Sequence, residues 1–179
     1  LDGNLYLGLG RPKMGVAQVS SGGDIEHKAL DSSSSVTTSV NFNGNLIFGH
    51  ANGDLTSLEG KLVNGQGKSV NSILHDGHQL ITIDDNNITQ LGTDNQQSLQ
   101  VSVGNITAIS NGIIVNDSPT IWCGIQDINK GLLKVISLTD GNELASMQAA
   151  KISVITSNTD RVVIGDEQGE VYVLSLIHI

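Results

Sequence analysis

His75-Asp76-Gly77-His78 places two imidazoles three residues apart, a spacing that some metal sites use. No third ligand cluster accompanies them, and Asp76-Gly77 reads as the tip of a hairpin. Asp84-Asp85-Asn86-Asn87 offers oxygen donors but lacks the alternating ligands, central glycine and terminal glutamate of a calcium loop, so a polar turn is expected there. Gly8-Leu9-Gly10 has no third glycine and runs into Arg11-Pro12 instead of a helix start, which excludes a dinucleotide fingerprint. Cys123 lies between Trp122 and Gly124 in an apolar run, the setting of a packed thiol rather than a nucleophile, and no Gly-x-Ser-x-Gly elbow occurs. His50, in Phe48-Gly49-His50-Ala51-Asn52-Gly53-Asp54, has two readings: a ring that orients the turn by bonding Asp54, or a solvent-exposed histidine. No catalytic constellation assembles, so no catalytic residue, cofactor or metal is expected, and recognition by surface turns is the remaining chemistry.

The elements that must position those turns recur. Apolar first-strand anchors stand at Val36, Val70, Ile106 and Ile152, spaced 34, 36 and 46 residues. A second strand opens ten residues past three of them, at Leu46, Leu80 and Val162. A third opens at Leu55, Ile88 and Val171, just after Asn52-Gly53-Asp54, Asp85-Asn86-Asn87 and Gln168-Gly169-Glu170, turns whose residues suit positive φ. A fixed offset repeated three times indicates one supersecondary unit duplicated along the chain. Short apolar runs bounded by turn residues dominate and helix-period patterns are absent, so the class is all-β. A sandwich does not need equal offsets, whereas radial repetition does, and the spacing is that of a β-propeller.

The predicted layout is one partial propeller over residues 1–179, with blade remnants in 1–35 and about four blades near 36–68, 69–104, 105–150 and 151–179. Leu5-Tyr6-Leu7 resembles the third strand of an earlier copy, and residues 8–35 read as a flexible connection around one outer strand, Ile25 to Leu30. The third copy carries one strand too many. Either it holds an inserted strand, or Ile113 to Val115 belongs to an extended connection and Ile121 to Ile125 is the true second strand. Ser175-Leu176-Ile177-His178-Ile179 resembles the translated start of a sequencing adapter, and reads equally as a strand running to its natural end. A missing blade would leave two sheet faces bare. At about 1.5 to 3 kcal/mol per buried aliphatic side chain, four residues per face forfeit roughly 6 to 12 kcal/mol, which rivals a domain's whole stability of about 5 to 15 kcal/mol.

Composition agrees with many short strands: Gly fills 21 of 179 positions and concentrates in turns. The formal charge is −9 and the basic residues are scattered, so no footprint for phosphate backbones exists and nucleic acid is not an expected partner. No run of 18 apolar residues and no leader-like N-terminal segment is present, so neither a membrane span nor a signal peptide is read. One cysteine excludes an internal disulfide framework and favours a cytoplasmic setting. The sequons at Asn87, Asn105 and Asn116 are of a kind that an Asn-, Ser- and Thr-rich chain produces by chance.

Two segments carry a family resemblance. The run Leu132-Leu133-Lys134-Val135-Ile136-Ser137-Leu138-Thr139-Asp140-Gly141-Asn142-Glu143-Leu144 resembles the end of a WD-type repeat, where a strand closes on a Thr-Gly-Glu-like turn. Val162 to Leu174, through Gly165-Asp166-Glu167-Gln168-Gly169-Glu170, resembles that family's hairpin between second and third strands. The signature Trp-Asp pair never appears, and Trp122 is the sole tryptophan. Among WD proteins the order of segments is most similar to the C-terminal propeller of the actin-interacting, cofilin-assisting family. The likeness runs through Asn64-Gly65-Gln66-Gly67-Lys68-Ser69-Val70-Asn71-Ser72-Ile73, Gln79 to Ile88 and Asn105-Ile106-Thr107-Ala108-Ile109-Ser110. It implies promotion of the disassembly of cofilin-decorated actin filaments, with actin and cofilin as partners and a cytoskeletal location.

In a propeller the turns between second and third strands emerge on one rim. That arrangement would gather Asn52, Asp54, Asp85, Asn86, Asp166 and Glu167 into an acidic, polar face on which a protein partner is read. The same acidity also serves plain solubility. The expected function is therefore a non-enzymatic interaction scaffold, with the actin-disassembly factor as its most specific version. A generic WD adaptor and a propeller enzyme are the alternatives, and a single tryptophan argues against the repeated docking motifs of a quinone-dependent one.

Overall fold

A computed structural model describes residues 3–10, 13–65, 67–111, 118–128, 130–158 and 161–175. Every regular element among them is a strand, and the strands form five antiparallel sheets in which neighbours follow chain order. The first sheet is β1 (Leu5–Leu9), β2 (Gly15–Val19) and β3 (Ile25–Lys28). The second is β4 (Val36–Phe42), β5 (Asn45–His50), β6 (Leu55–Ser57) and β7 (Gly60–Val63). The third is β8 (Ser72–His75), β9 (Leu80–Ile83), β10 (Asn87–Leu91) and β11 (Gln97–Ser102). The fourth is β12 (Ile106–Asn111), β13 (Thr120–Asp127), β14 (Lys130–Ser137) and β15 (Glu143–Ala149). The last is β16 (Ile152–Ser157), β17 (Arg161–Asp166) and β18 (Val171–Ser175).

One sequence expectation is corrected, and one of two alternatives is borne out. Residues 8–35 are not a connection with one outer strand: β1 to β3 make a three-stranded sheet. Its strands are short and largely exposed, so polar residues blur the alternation that marks a strand. In the third copy, four strands stand among the described residues, and Ile121 to Ile125 lies in β13 and pairs with β12 as the second strand, the second of the two readings. The run Ile113 to Val115 lies outside the described residues, as do Asn116 and Leu176 to Ile179.

Hairpins are closed by one recurrent device. In Ser20–Asp24, His50–Asp54, Gly92–Gln96 and Asp166–Glu170 the first residue donates its N–H to the fifth carbonyl, and the fourth donates back to the first. The fourth residue has positive φ in each: Gly23 at 88°, Gly53 at 89°, Asn95 at 61° and Gly169 at 85°. This is a three-residue loop ended by a left-handed residue, which glycine and asparagine enter at least cost. Asp85-Asn86-Asn87 is not a turn of this kind, since the non-glycine residues with positive φ among those described are Asn43 and Asn95.

The chain divides into two compact units, residues 1–84 with 91–96, and residues 85–90 with 97–179. In the first, β4 packs beside β1 and β8, and the core joins Ile47, Leu55, Val70, Ile73, Leu80 and Leu91. In the second, β16 packs against β12 and β13, and the core joins Trp122, Leu133, Val135, Ile152, Ile155, Val162 and Ile164.

One contact recurs inside both units. A Cβ built on Gly49 of β5 would lie 2.8 Å from Val70 Cγ1, and one on Gly124 of β13 would lie 2.7 Å from Ile152 Cβ. Gly8 of β1 stands in the same relation to Val36, at 2.9 Å from Cγ1. A second-strand glycine thus leaves a bare patch of backbone, and the β-branched anchor of the following sheet lies on it. By this contact β1 takes the place of a second strand, not of the third strand that the sequence suggested. The pairing register agrees elsewhere: Gly49, Gly124 and Gly165 each face the residue two past their anchor, across an irregularity in the first strand.

Candidate interaction turns

In the first unit the turn after β5 is organised by two buried polar side chains. His50 is buried, with Nδ1 3.0 Å from the Ser34 carbonyl and Nε2 2.8 Å from Thr56 Oγ1. The carbonyl only accepts, so Nδ1 donates to it. Neither sequence reading of His50 holds: the ring does not bond Asp54, and it is not exposed. It ties the segment before β4 to β6, an arrangement foreshadowed only by the hydroxyl six residues on.

Asp54 is also buried, so its carboxylate is an internal group rather than a rim contact. Oδ2 accepts from Ser32 Oγ at 2.8 Å and Asn52 Nδ2 at 2.8 Å and pairs with Lys61 Nζ at 3.2 Å, while Oδ1 accepts from the Gly65 amide at 2.8 Å. Burial alone would raise its pKa. The Gly65, Asn52, Ser32 and Lys61 donors outweigh that and hold the carboxyl well below the usual aspartate range. Asn52 is half-buried, and its amide is engaged with Asp54 through both heteroatoms.

In the second unit the turn after β17 is built by Asp166, which is buried and whose Oδ1 accepts from the Gln168 and Glu170 amides at 2.9 Å each. Its Oδ2 is buried without a hydrogen-bond partner among the described residues. Glu167 is exposed and pairs with Lys151 at 3.5 Å, and its amide donates to the Lys151 carbonyl. Tyr172 donates its hydroxyl to Glu170, a bond that pushes the phenol up to about 12. Asp85 and Asn86 are exposed, while their carbonyls accept from Ile106 and Val103. Of the six residues expected to face a partner, Asp85, Asn86 and Glu167 are exposed, Asn52 is half-buried, and Asp54 and Asp166 are buried. The reasons differ: Asp166 accepts amides that its own tight turn exposes, whereas Asp54 accepts from Ser32, Asn52, Lys61 and the Gly65 amide.

The remaining chemical candidates are structural. Asp76 Oδ1 accepts from the His78 and Gln79 amides at 2.8 and 2.7 Å, which makes His75 to His78 the hairpin tip the sequence suggested. The Cys123 thiol is buried, lies 3.7 Å from the Lys134 carbonyl, and is pushed up to about 12 by that burial.

No protein-family model matches the chain, and no curated protein matches it. Solved structures do. The β-propeller domain of Cps50 (Swd1) from Myceliophteria thermophila superposes with a TM-score of 0.72 at 10% identity, over 97% of this chain and 67% of that one. The Pan2 WD40 domain of Neurospora crassa matches with a TM-score of 0.61 at 12% identity, over 79% of this chain and 47% of that one. Hydrazine synthase of Kuenenia stuttgartiensis matches with a TM-score of 0.64 at 11% identity, over 97% of this chain and 63% of that one. Identities this low carry the fold and leave activity open. The chain is all-β, and its antiparallel sheets of three and four strands are those of a β-propeller fragment.

Proposed function

We propose that this chain is a WD-type interaction scaffold that performs no chemistry of its own. The observation that carries the reading is where its reactive groups lie. The Asp54 and Asp166 carboxylates, the His50 ring and the Cys123 thiol are buried within turns or strands, while of the six turn residues read in the sequence Asp85, Asn86 and Glu167 lie on the surface of the second unit. The likeness to a WD40 domain supports the same class. A cytoplasmic protein partner is the natural ligand of such turns.

The most specific version is a part in the disassembly of cofilin-decorated actin filaments, suggested by the resemblance of the segments Asn64 to Ile73, Gln79 to Ile88 and Asn105 to Ser110. Co-sedimentation of the full chain with filaments, with and without cofilin, tests it. Binding that requires cofilin, and that falls when Asp85, Asn86 and Glu167 are all replaced by Lys, is expected. No binding in either arm removes the actin version. Binding that ignores the triple replacement removes the turns as its site.

A further inference from the structure

The covered faces of the second and fourth sheets are built alike, whereas in the third Ile83 stands where those two carry glycine. In the second sheet the face carries one cross-strand row of Val40, Ile47 and Ser57 and another of Thr38, Gly49 and Leu55. Val70 lies on Gly49, and Leu55 is 1% exposed. In the fourth sheet the rows are Ser110, Trp122 and Val135, then Ala108, Gly124 and Leu133. There Ile152 lies on Gly124, and Leu133 is 2% exposed. Directly opposed residues share a face, so each pair of rows is one continuous surface.

The last sheet builds the same two rows from Thr156, Val163 and Val173 and from Val154, Gly165 and Val171. Here the position of Leu55 and Leu133 belongs to Val171, which is 68% exposed, while Val173 is 58% and Val154 56% exposed. A Cβ on Gly165 would meet Val154 of its own sheet, 2.9 Å away, and nothing else within 4 Å among the described residues. Three valines around a bare glycine form an apolar surface with no charged side chain in either row, a composition that marks a contact site rather than a solvated face.

We propose that this face of β16 to β18 is a docking surface for the first strand of a further β-meander blade, which seats a β-branched aliphatic residue on Gly165. The occupant follows from the equivalent contacts: Val36, Val70 and Ile152 are all β-branched, and a side chain stiff at χ1 spreads two methyl-bearing arms over a flat backbone patch. A second copy of the chain matches less well. Its opening sheet offers Leu5 and Leu7 from β1, a second strand, with no first-strand anchor among the described residues.

The test extends the full chain at its C-terminus by a flexible linker of about 15 residues, reaching roughly 20 Å, and a copy of residues 35–65, which begins with a suitable anchor in Val36. Hydrophobic-dye fluorescence is expected to fall severalfold on extension and the urea midpoint to rise. Gly165→Leu is expected to cancel both changes while leaving the unextended chain as it was. Val173→Lys, at an exposed position, is a second variant with the same expectation. The proposal fails if extension changes neither readout, or if the gain survives both substitutions. It also fails if the unextended chain forms a concentration-dependent dimer that hides the dye site and is dissolved by Gly165→Leu, since the occupant would then be a second copy.

Discussion

Val70 lies directly on Gly49, so close that a single added carbon on the glycine would stand 2.8 Å from Val70 Cγ1. Gly124 is equally tight under Ile152, whereas the atom nearest a Cβ on Gly165 belongs to the exposed Val154. Alanine at Gly49 or Gly124 is therefore expected to cost about 1–3 kcal/mol through overpacking, and alanine at Gly165 to stay within about 0.5 kcal/mol. Urea midpoints of the three variants measure this. Equal losses at all three sites would show that the glycines serve their own strands and not the sheet that follows.

Asp54 predicts a pH dependence with a definite sign. Its folded-state pKa lies below the unfolded value, so its contribution is complete above the ordinary aspartate range, near about 3.9, and disappears as pH falls through the folded value. Asp54→Ala leaves Ser32, Lys61 and the Gly65 amide without their acceptor and is expected to cost about 2–4 kcal/mol at pH 7. The gap between variant and parent, read from urea curves, should narrow as pH is lowered below 4. A gap that stays constant into strong acid would mean the carboxylate's charge contributes nothing.

Cys123 should be silent toward thiol reagents in the native state. With the thiol pushed up to about 12 by burial, its thiolate fraction at pH 8 is about a thousandfold below that of a free cysteine. A chromogenic disulfide reagent is expected to find no thiol in buffer and one per chain in denaturant. Rapid native reaction would place the side chain on the surface.

Tyr172 gives a spectroscopic handle on the turn after β17. Its phenol donates to Glu170 and is held up to about 12, so ultraviolet titration should show a late-titrating tyrosine. Glu170→Gln removes the negative charge and is expected to bring that step back toward about 10. An unchanged titration would rule out the bond.

Fixed offsets made most strands legible in the sequence. Leu80 to Ile83 is β9 as read, and Ile121 to Ile125 lies within β13. In the opening sheet Leu5-Tyr6-Leu7 and Ile25 to Leu30 were legible as strands, whereas Gly15-Val16-Ala17-Gln18-Val19 is too short to show a period, so the sheet that joins them was not. A further signal lies in Ile47-Phe48-Gly49, Trp122-Cys123-Gly124 and Val163-Ile164-Gly165, an apolar pair followed by glycine that marks the second strand of the second, fourth and last sheets and is absent from β9 of the third. The inward fate of Asp54 was out of reach, since it depends on donors at Ser32 and Gly65, 22 and 11 residues away, brought there by the folded chain. Turn carboxylates look alike in sequence whether they face solvent or the amides of their own loop.

A glycine on one strand answered by a forked side chain on the next unit is a connector that carries no address. Any blade so equipped can follow any other, which makes the number of blades a matter of gene length rather than of tailored contacts. Duplication of a whole meander would bring a matching pair of surfaces with it, while an insertion of an odd number of residues inside a strand would turn the rest of that strand's side chains to the opposite face. Growth of such a protein is thus expected in whole blades.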